Sequence, residues 1–262
     1  MRIAVIQLAS TREKSENLSK ALGLLGGVDA DLAVLPEYLM GVGEGGALTR
    51  RYVEALAEPL DGPFSTALTE ASRDGGLALV YTMYLLEEGR VYNAAVLAER
   101  GRVKAVYRKV HLFDAYGYRE SEVFAPGPGP VTAEVGGFTA GLAVCFDLRF
   151  PELFRVEALR GADLFIVPAA WYSGPHKLAQ WRILTAARAH ENTAYLVAAG
   201  QAAPFFTGHS LVATPYGETI LELGEGEAVG YADLEESLVE EARERIPVLR
   251  LRRPDAYRGL LG

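Results

Sequence analysis

The chain has one cysteine, three methionines and two tryptophans in 262 residues. A lone cysteine closes no internal disulfide, which fits a reducing, cytoplasmic compartment. No run of about eighteen apolar residues occurs, so no membrane span is expected. The N-terminus, Met1-Arg-Ile-Ala-Val-Ile, enters a strand pattern directly, without the layout of a signal peptide. Positive charge is also scarce: 26 Lys and Arg stand against 34 Asp and Glu, a net charge of −8. That balance argues against nucleic acid or an anionic membrane as partner. Only three Asn and three Gln occur, a composition favoured in heat-stable proteins.

The common catalytic spacings are missing too. There is no G-x-S-x-G elbow, no H-E-x-x-H and no C-x-x-C. The four histidines, His111, His176, His190 and His209, lack metal-ligand spacing, and His111 reads as a hydrogen-bonded structural residue. No metal or cofactor is implied. Gly41-Val-Gly-Glu-Gly-Gly46 has the form G-x-G-x-x-G. Its first glycine does not end a strand, however, so it reads as a Gly-rich rim loop rather than a dinucleotide site.

Half of the residues are apolar and 23% are charged, as in a globular protein with a large core. No internal repeat, low-complexity tract or linker divides the chain, so residues 1–262 are expected to form one domain. Strand patterns cover residues 2–9, 32–35, 77–86, 92–99, 103–109, 142–144, 164–167, 194–200, 210–214, 219–223 and 231–234. Helical patterns cover 15–25, 49–57, 64–73, 151–160, 177–192 and 235–245. Strands alternate with helices at both ends around a central meander, which predicts a layered α/β sandwich. The arginine-rich tail, about 247–262, has no evident place in the core and is expected at a subunit interface.

Three apolar strands end in chemically capable residues. Leu32–Leu35 runs into Pro36-Glu37, a carboxylate that is costly to bury without a partner. The meander ends at Tyr107-Arg-Lys109. Leu142–Val144 ends at Cys145, just before a helix opened by Pro151 and closed by Gly161. Taken singly, each has an inert reading: a loop glutamate, a solvated lysine, a small buried hydrophobe.

Taken together, they resemble the nitrilase superfamily of carbon–nitrogen hydrolases. The matching pieces are Leu-Pro-Glu37-Tyr, Tyr-Arg-Lys109-Val-His-Leu-Phe-Asp and Cys145-Phe-Asp-Leu-Arg-Phe-Pro-Glu-Leu, with Arg-Glu120-Ser-Glu between the last two. Lys109 follows Glu37 by 72 residues and precedes Cys145 by 36, also similar to the family. The resemblance covers nearly the whole chain. It implies a four-layer α-β-β-α sandwich that pairs into homodimers or higher homo-oligomers.

It also implies a cysteine amidase. Cys145 would be the nucleophile, Glu37 the general base, Lys109 the oxyanion-stabilising cation, and Glu120 the second glutamate that orients Lys109 or the substrate. The Phe146 N–H is a second oxyanion donor in this reading. The Cys-Phe-Asp-Leu-Arg-Phe-Pro-Glu motif looks most like the omega-amidase and deaminated-glutathione-amidase branches, which cleave a small carboxylate-bearing amide to acid and ammonia. Strict nitrilases carry Cys-Trp-Glu, so Cys-Phe-Asp disfavours nitriles. An N-carbamoyl-amide hydrolase or a nitrile hydrolase, and an idle family member retained as a binding or scaffold protein, are the alternatives. Arg149, Trp171 and Tyr172 are pocket candidates; Arg149 suits either a substrate carboxylate or an internal salt bridge.

Overall fold

Strict alternation along the first strand decides the architecture. In β1 (Arg2–Gln7), Ile3 and Val5 join one buried cluster and Ala4 and Ile6 another. Successive side chains of a strand point to opposite faces, so both faces of β1 are covered. The computed structural model describes residues 1–258; the last four positions of the arginine-rich tail lie outside the described residues.

The chain continues through α1 (Lys14–Leu25), β2 (Leu32–Val34), α2 (Arg50–Leu56), α3 (Pro63–Asp74) and the meander β3 (Ala78–Glu87), β4 (Arg90–Glu99) and β5 (Arg102–Arg108). The short pair β6 (Asp114–Ala115) and β7 (Tyr118–Arg119) precedes β8 (Val131–Val135) and β9 (Phe138–Leu142). Then come α4 (Pro151–Leu159), β10 (Leu164–Ala169), α5 (Lys177–Asn192), β11 (Tyr195–Gly200), β12 (Leu211–Ala213), β13 (Thr219–Glu222), β14 (Ala228–Asp233) and α6 (Glu236–Arg245).

Two six-stranded sheets result, ordered β14-β1-β2-β3-β4-β5 and β13-β12-β11-β10-β9-β8. Each has three parallel strands at its centre and antiparallel strands outside them. The sheets lie face to face, with β1 against β11, β3 against β10 and β5 against β8. Helices α1 and α3 cover the first sheet, and α4 and α5 cover the second. This is the expected four-layer α-β-β-α sandwich. Among the described residues, no helix is long and apolar enough to cross a membrane.

The structure corrects the reading around Cys145. The strand there is β9, ending at Leu142, and Ala143 and Val144 continue past it toward a 3₁₀ turn over Cys145–Arg149. Strand β9 is the second arm of a hairpin whose turn is Gly136-Gly137, with φ of 55° and 90°. Two successive positive φ angles are what a two-residue hairpin of this twist requires, and glycine supplies them without strain. That pattern of alternating residues around Gly-Gly was present in the sequence and was missed.

One acid is buried against the second sheet. Glu157 on α4 is fully buried against Gly141, and neither carboxyl oxygen has a hydrogen-bond partner among the described residues. Burial, and secondarily Asp147, raise its pKa well above the usual carboxylate range. A raised folded-state pKa gives stability that is present at acidic pH and is lost as pH rises toward that pKa. Glu157→Met should therefore raise the thermal midpoint by a few degrees, roughly 1 kcal/mol, at pH 8. The gain should shrink as the pH falls to about 4.5, as scanning calorimetry across pH would show.

Candidate active site

The three strand ends converge. Glu37 follows β2, Lys109 follows β5 and Cys145 follows β9, so both sheets contribute to one point at their edge. Glu120 arrives from the single turn after β7. Glu37 and Glu120 are fully buried, Lys109 nearly so, and Cys145 is 8% exposed.

Lys109 Nζ donates to Glu37 Oε1 at 2.9 Å and lies 2.8 Å from Glu120 Oε2. Asn93 Nδ2, from β4, bridges the same carboxylates at 2.7 Å and 3.0 Å. Backbone adds further donors: Ala170 N–H donates to Glu37 Oε2 at 2.7 Å and Phe113 N–H to Glu120 Oε2 at 2.6 Å. The Tyr38 hydroxyl donates to Glu120 at 3.3 Å. Gln201 fixes the backbone of Glu37 through its carbonyl at 2.7 Å.

These contacts set the proton positions. Burial would by itself strip Lys109 of its proton, but Glu120 and Glu37 outweigh it and hold the pKa well above the lysine range. Burial raises the Glu37 carboxyl; Lys109 opposes this and Glu120 adds to it. Lys109 pulls the Cys145 thiol down. Burial and Glu37 prevail, however, and its pKa lies well above that of a free thiol. Cys145 therefore rests as a thiol next to Glu37.

Cys145 has φ +49°, a left-handed conformation that costs a non-glycine residue about 1–3 kcal/mol. Asp147 holds the turn in place. Its carboxylate accepts from Val144 N–H at 2.9 Å, the Tyr107 hydroxyl at 2.8 Å, His111 N–H at 3.0 Å and His111 Nδ1 at 2.7 Å. Tyr107 and His111 flank Lys109 two residues to either side, so one carboxylate ties the cysteine turn to the lysine segment. The His111 ring stacks on Phe150 at 3.7 Å. The Phe146 N–H falls in the first turn after Cys145, where a helix leaves its donors without internal acceptors.

The pocket over Cys145 is lined by Tyr38, Lys109, Phe146, Arg149, Trp171 and Tyr172, among others. Its free volume is only ≈10 Å³, about that of one water. Arg149 makes no salt bridge among the described residues. Its Nη2 donates to Gln180 at 2.7 Å, its Nε is buried without a partner, and its guanidinium lies 4.8 Å from the Trp171 ring centroid. The glycine loop forms a single turn over Glu44–Gly46, and the Tyr172 hydroxyl donates to Gly46 O at 2.9 Å, so the loop borders the site. Asn93, Asp147, Tyr38 and Lys177 belong to this surround and were not singled out from sequence.

The carbon–nitrogen hydrolase family profile matches residues 2–244. The deaminated glutathione amidase of Escherichia coli O157:H7 is 35% identical over 258 residues, covering 97% of each chain. Human omega-amidase is 32% identical over 273 residues, covering 98% of this chain and 96% of its own. Among solved structures, a variant of the amidase from Nesterenkonia sp. AN1 superposes with TM-score 0.80 at 30% identity over all of both chains. That structure shows acrylamide added to the active-site cysteine of that protein.

The Asp147 clasp makes a checkable prediction. Asp147→Asn keeps the shape but turns an NH₂ toward groups that are themselves donors. It should lower unfolding free energy by about 2–3 kcal/mol, measured by urea denaturation, whereas a surface carboxylate such as Asp29 should cost under about 0.5 kcal/mol.

Proposed function

The chain belongs to the carbon–nitrogen hydrolase family, and from that premise we propose that it cleaves a small carboxylate-bearing primary amide to acid and ammonia. Hydrolysis of a carbon–nitrogen bond is that family's chemistry, and the amidase relatives support an amide as the bond cleaved. The observation that favours this substrate is Arg149, a cation with no carboxylate partner among the described residues, in the same pocket as Cys145. An internal salt bridge would have used that guanidinium; instead it is available for a bidentate carboxylate contact.

In the proposed reaction Glu37 takes the Cys145 proton as sulfur attacks the amide carbon. The C–S bond forms, and the carbonyl oxygen becomes an oxyanion between Lys109 Nζ and the Phe146 N–H. Collapse breaks the C–N bond, Glu37 delivers its proton to the departing nitrogen, and ammonia leaves an acyl thioester on Cys145. Water then attacks the thioester with Glu37 again as base, and the acid is released as sulfur regains its proton. Glu120 acts on this sequence through Lys109, whose charge and position it helps to hold. Burial, aided by Glu120 and opposed by Lys109, raises Glu37 above an ordinary carboxylate, a suitable setting for an acid that must both accept and return a proton.

We further propose a cytoplasmic homodimer formed by a single domain spanning the chain. Its single cysteine suits a reducing compartment. Val156 and Leu159 on α4 and Ile183 on α5 are large apolar side chains left exposed on the outer helical layer, and a second copy would cover them. In the arginine-rich tail Leu249 packs against the core, while residues 250–256 are exposed and suited to that interface. Light scattering should give twice the chain mass, and Ile183→Glu should shift it toward the monomer.

The substrate reading is tested by ammonia release from a panel of glutaramate-type, ureido and nitrile compounds. Glutaramate should be hydrolysed without carbon dioxide release, and Cys145→Ala should reduce turnover by at least about 10³-fold. Carbon dioxide released together with ammonia would favour the carbamoyl alternative. Equal behaviour of wild type and variant would favour a binding protein.

A further inference from the structure

A second cation without a carboxylate partner among the described residues, besides Arg149, stands at this pocket, held by ring faces alone. Lys177 is the first residue of α5, so its ammonium sits at the positive end of a sixteen-residue helix. No carboxylate lies within salt-bridge distance of it among the described residues. Burial lowers its pKa, and Arg149 lowers it further. What surrounds Nζ is a set of ring faces: Tyr116 at 4.0 Å, and Phe113 and Trp171 at 5.5 Å each.

Its location gives the charge a use. A vestibule of ≈350 Å³ adjoins the small pocket over Cys145, and Phe113, Tyr172 and Lys177 line both. Beyond that partition the vestibule is walled by Tyr116 and Tyr118 together with Ala47 and the Ser173–Pro175 loop, and no carboxylate lines it. Such a chamber accepts an apolar chain that carries negative charge. An amide entering the inner pocket displaces part of the partition, and Lys177 is its one charged member.

We propose that Lys177 is a specificity-determining residue whose ammonium binds a second anionic group, at the remote end of a doubly charged amide. Arg149 holds the carboxylate nearer the scissile bond, and the linking chain lies on the aromatic wall. This rests on the amidase reading above. It assigns preferred substrates to amides with two carboxylates on one acyl chain, the nearer facing Arg149 and the farther facing Lys177. The unpaired charges of Arg149 and Lys177 are then each neutralised by the same molecule.

Two compounds separate the second contact from the first. N-acetylglutamine and N-succinylglutamine share a primary side-chain amide and a nearby carboxylate, and only the latter ends in a remote carboxylate. Wild-type enzyme should favour N-succinylglutamine in kcat/KM by about tenfold or more, the worth of one charge-assisted contact. Lys177→Gln should erase that ratio through KM, and Lys177→Arg should restore most of it. A merely structural lysine would lower both substrates alike. The proposal is overturned by a wild-type ratio near one, by a ratio that Lys177→Gln leaves unchanged, or by glutaramate turnover with neither glutamine derivative hydrolysed. Failure of wild-type enzyme to hydrolyse glutaramate as well would sink the amidase reading itself.

Discussion

Two carboxylates and one ammonium, all but removed from water, form the constraint on which the site depends. None of Glu37, Glu120 and Lys109 could stay ionised alone at that depth, because burying an unpaired charge costs several kcal/mol. Each is tolerable because the others, the Asn93 amide and two backbone N–H groups occupy its hydrogen-bonding positions. The cluster keeps a single residual negative charge when both acids are ionised, and the Cys145 proton is what that charge can take up. In the proposed reaction, charge balance and proton transfer are one arrangement.

The sandwich supplies the rigidity this arrangement needs. Residues at the ends of β2 and β9 are fixed by strands packed on both faces, and Lys109 by the edge strand β5, whose Tyr107 lies in the core. The weak point is the turn after β9, where Cys145 adopts a left-handed conformation. Asp147 compensates by joining that turn to Tyr107 and His111 on either side of Lys109. A shift of the nucleophile turn therefore strains the lysine segment as well, so the two move as a unit.

Much of this was legible because strand ends are readable. Apolar runs closing on Glu37, Lys109 and Cys145 marked three positions that an ordinary core would not choose, and the helices were placed by their glycine stops and apolar periodicity. The remaining parts were hidden for physical reasons. Asn93 lies inside a meander strand and looks like any polar interruption until two buried carboxylates are found beside it. Glu157 fits the polar positions of an amphipathic helix by spacing, yet it faces Gly141. Lys177 reads as the solvated start of a helix, and only the pocket wall shows that its ammonium faces rings rather than acids. The family motifs suggested roles for Glu37, Lys109, Cys145 and Glu120; they said nothing of the vestibule.

The central claim is that chemistry passes through an acyl thioester on Cys145, formed as its proton moves to Glu37. The most direct measurement is intact mass spectrometry of enzyme quenched in acid during steady-state turnover of glutaramate, followed by peptide mapping. The account predicts an acyl adduct on the peptide containing Cys145 that forms as ammonia is released and disappears when substrate is exhausted. Turnover with no adduct under conditions where deacylation is slowed, or an adduct carried elsewhere in the chain, would contradict it.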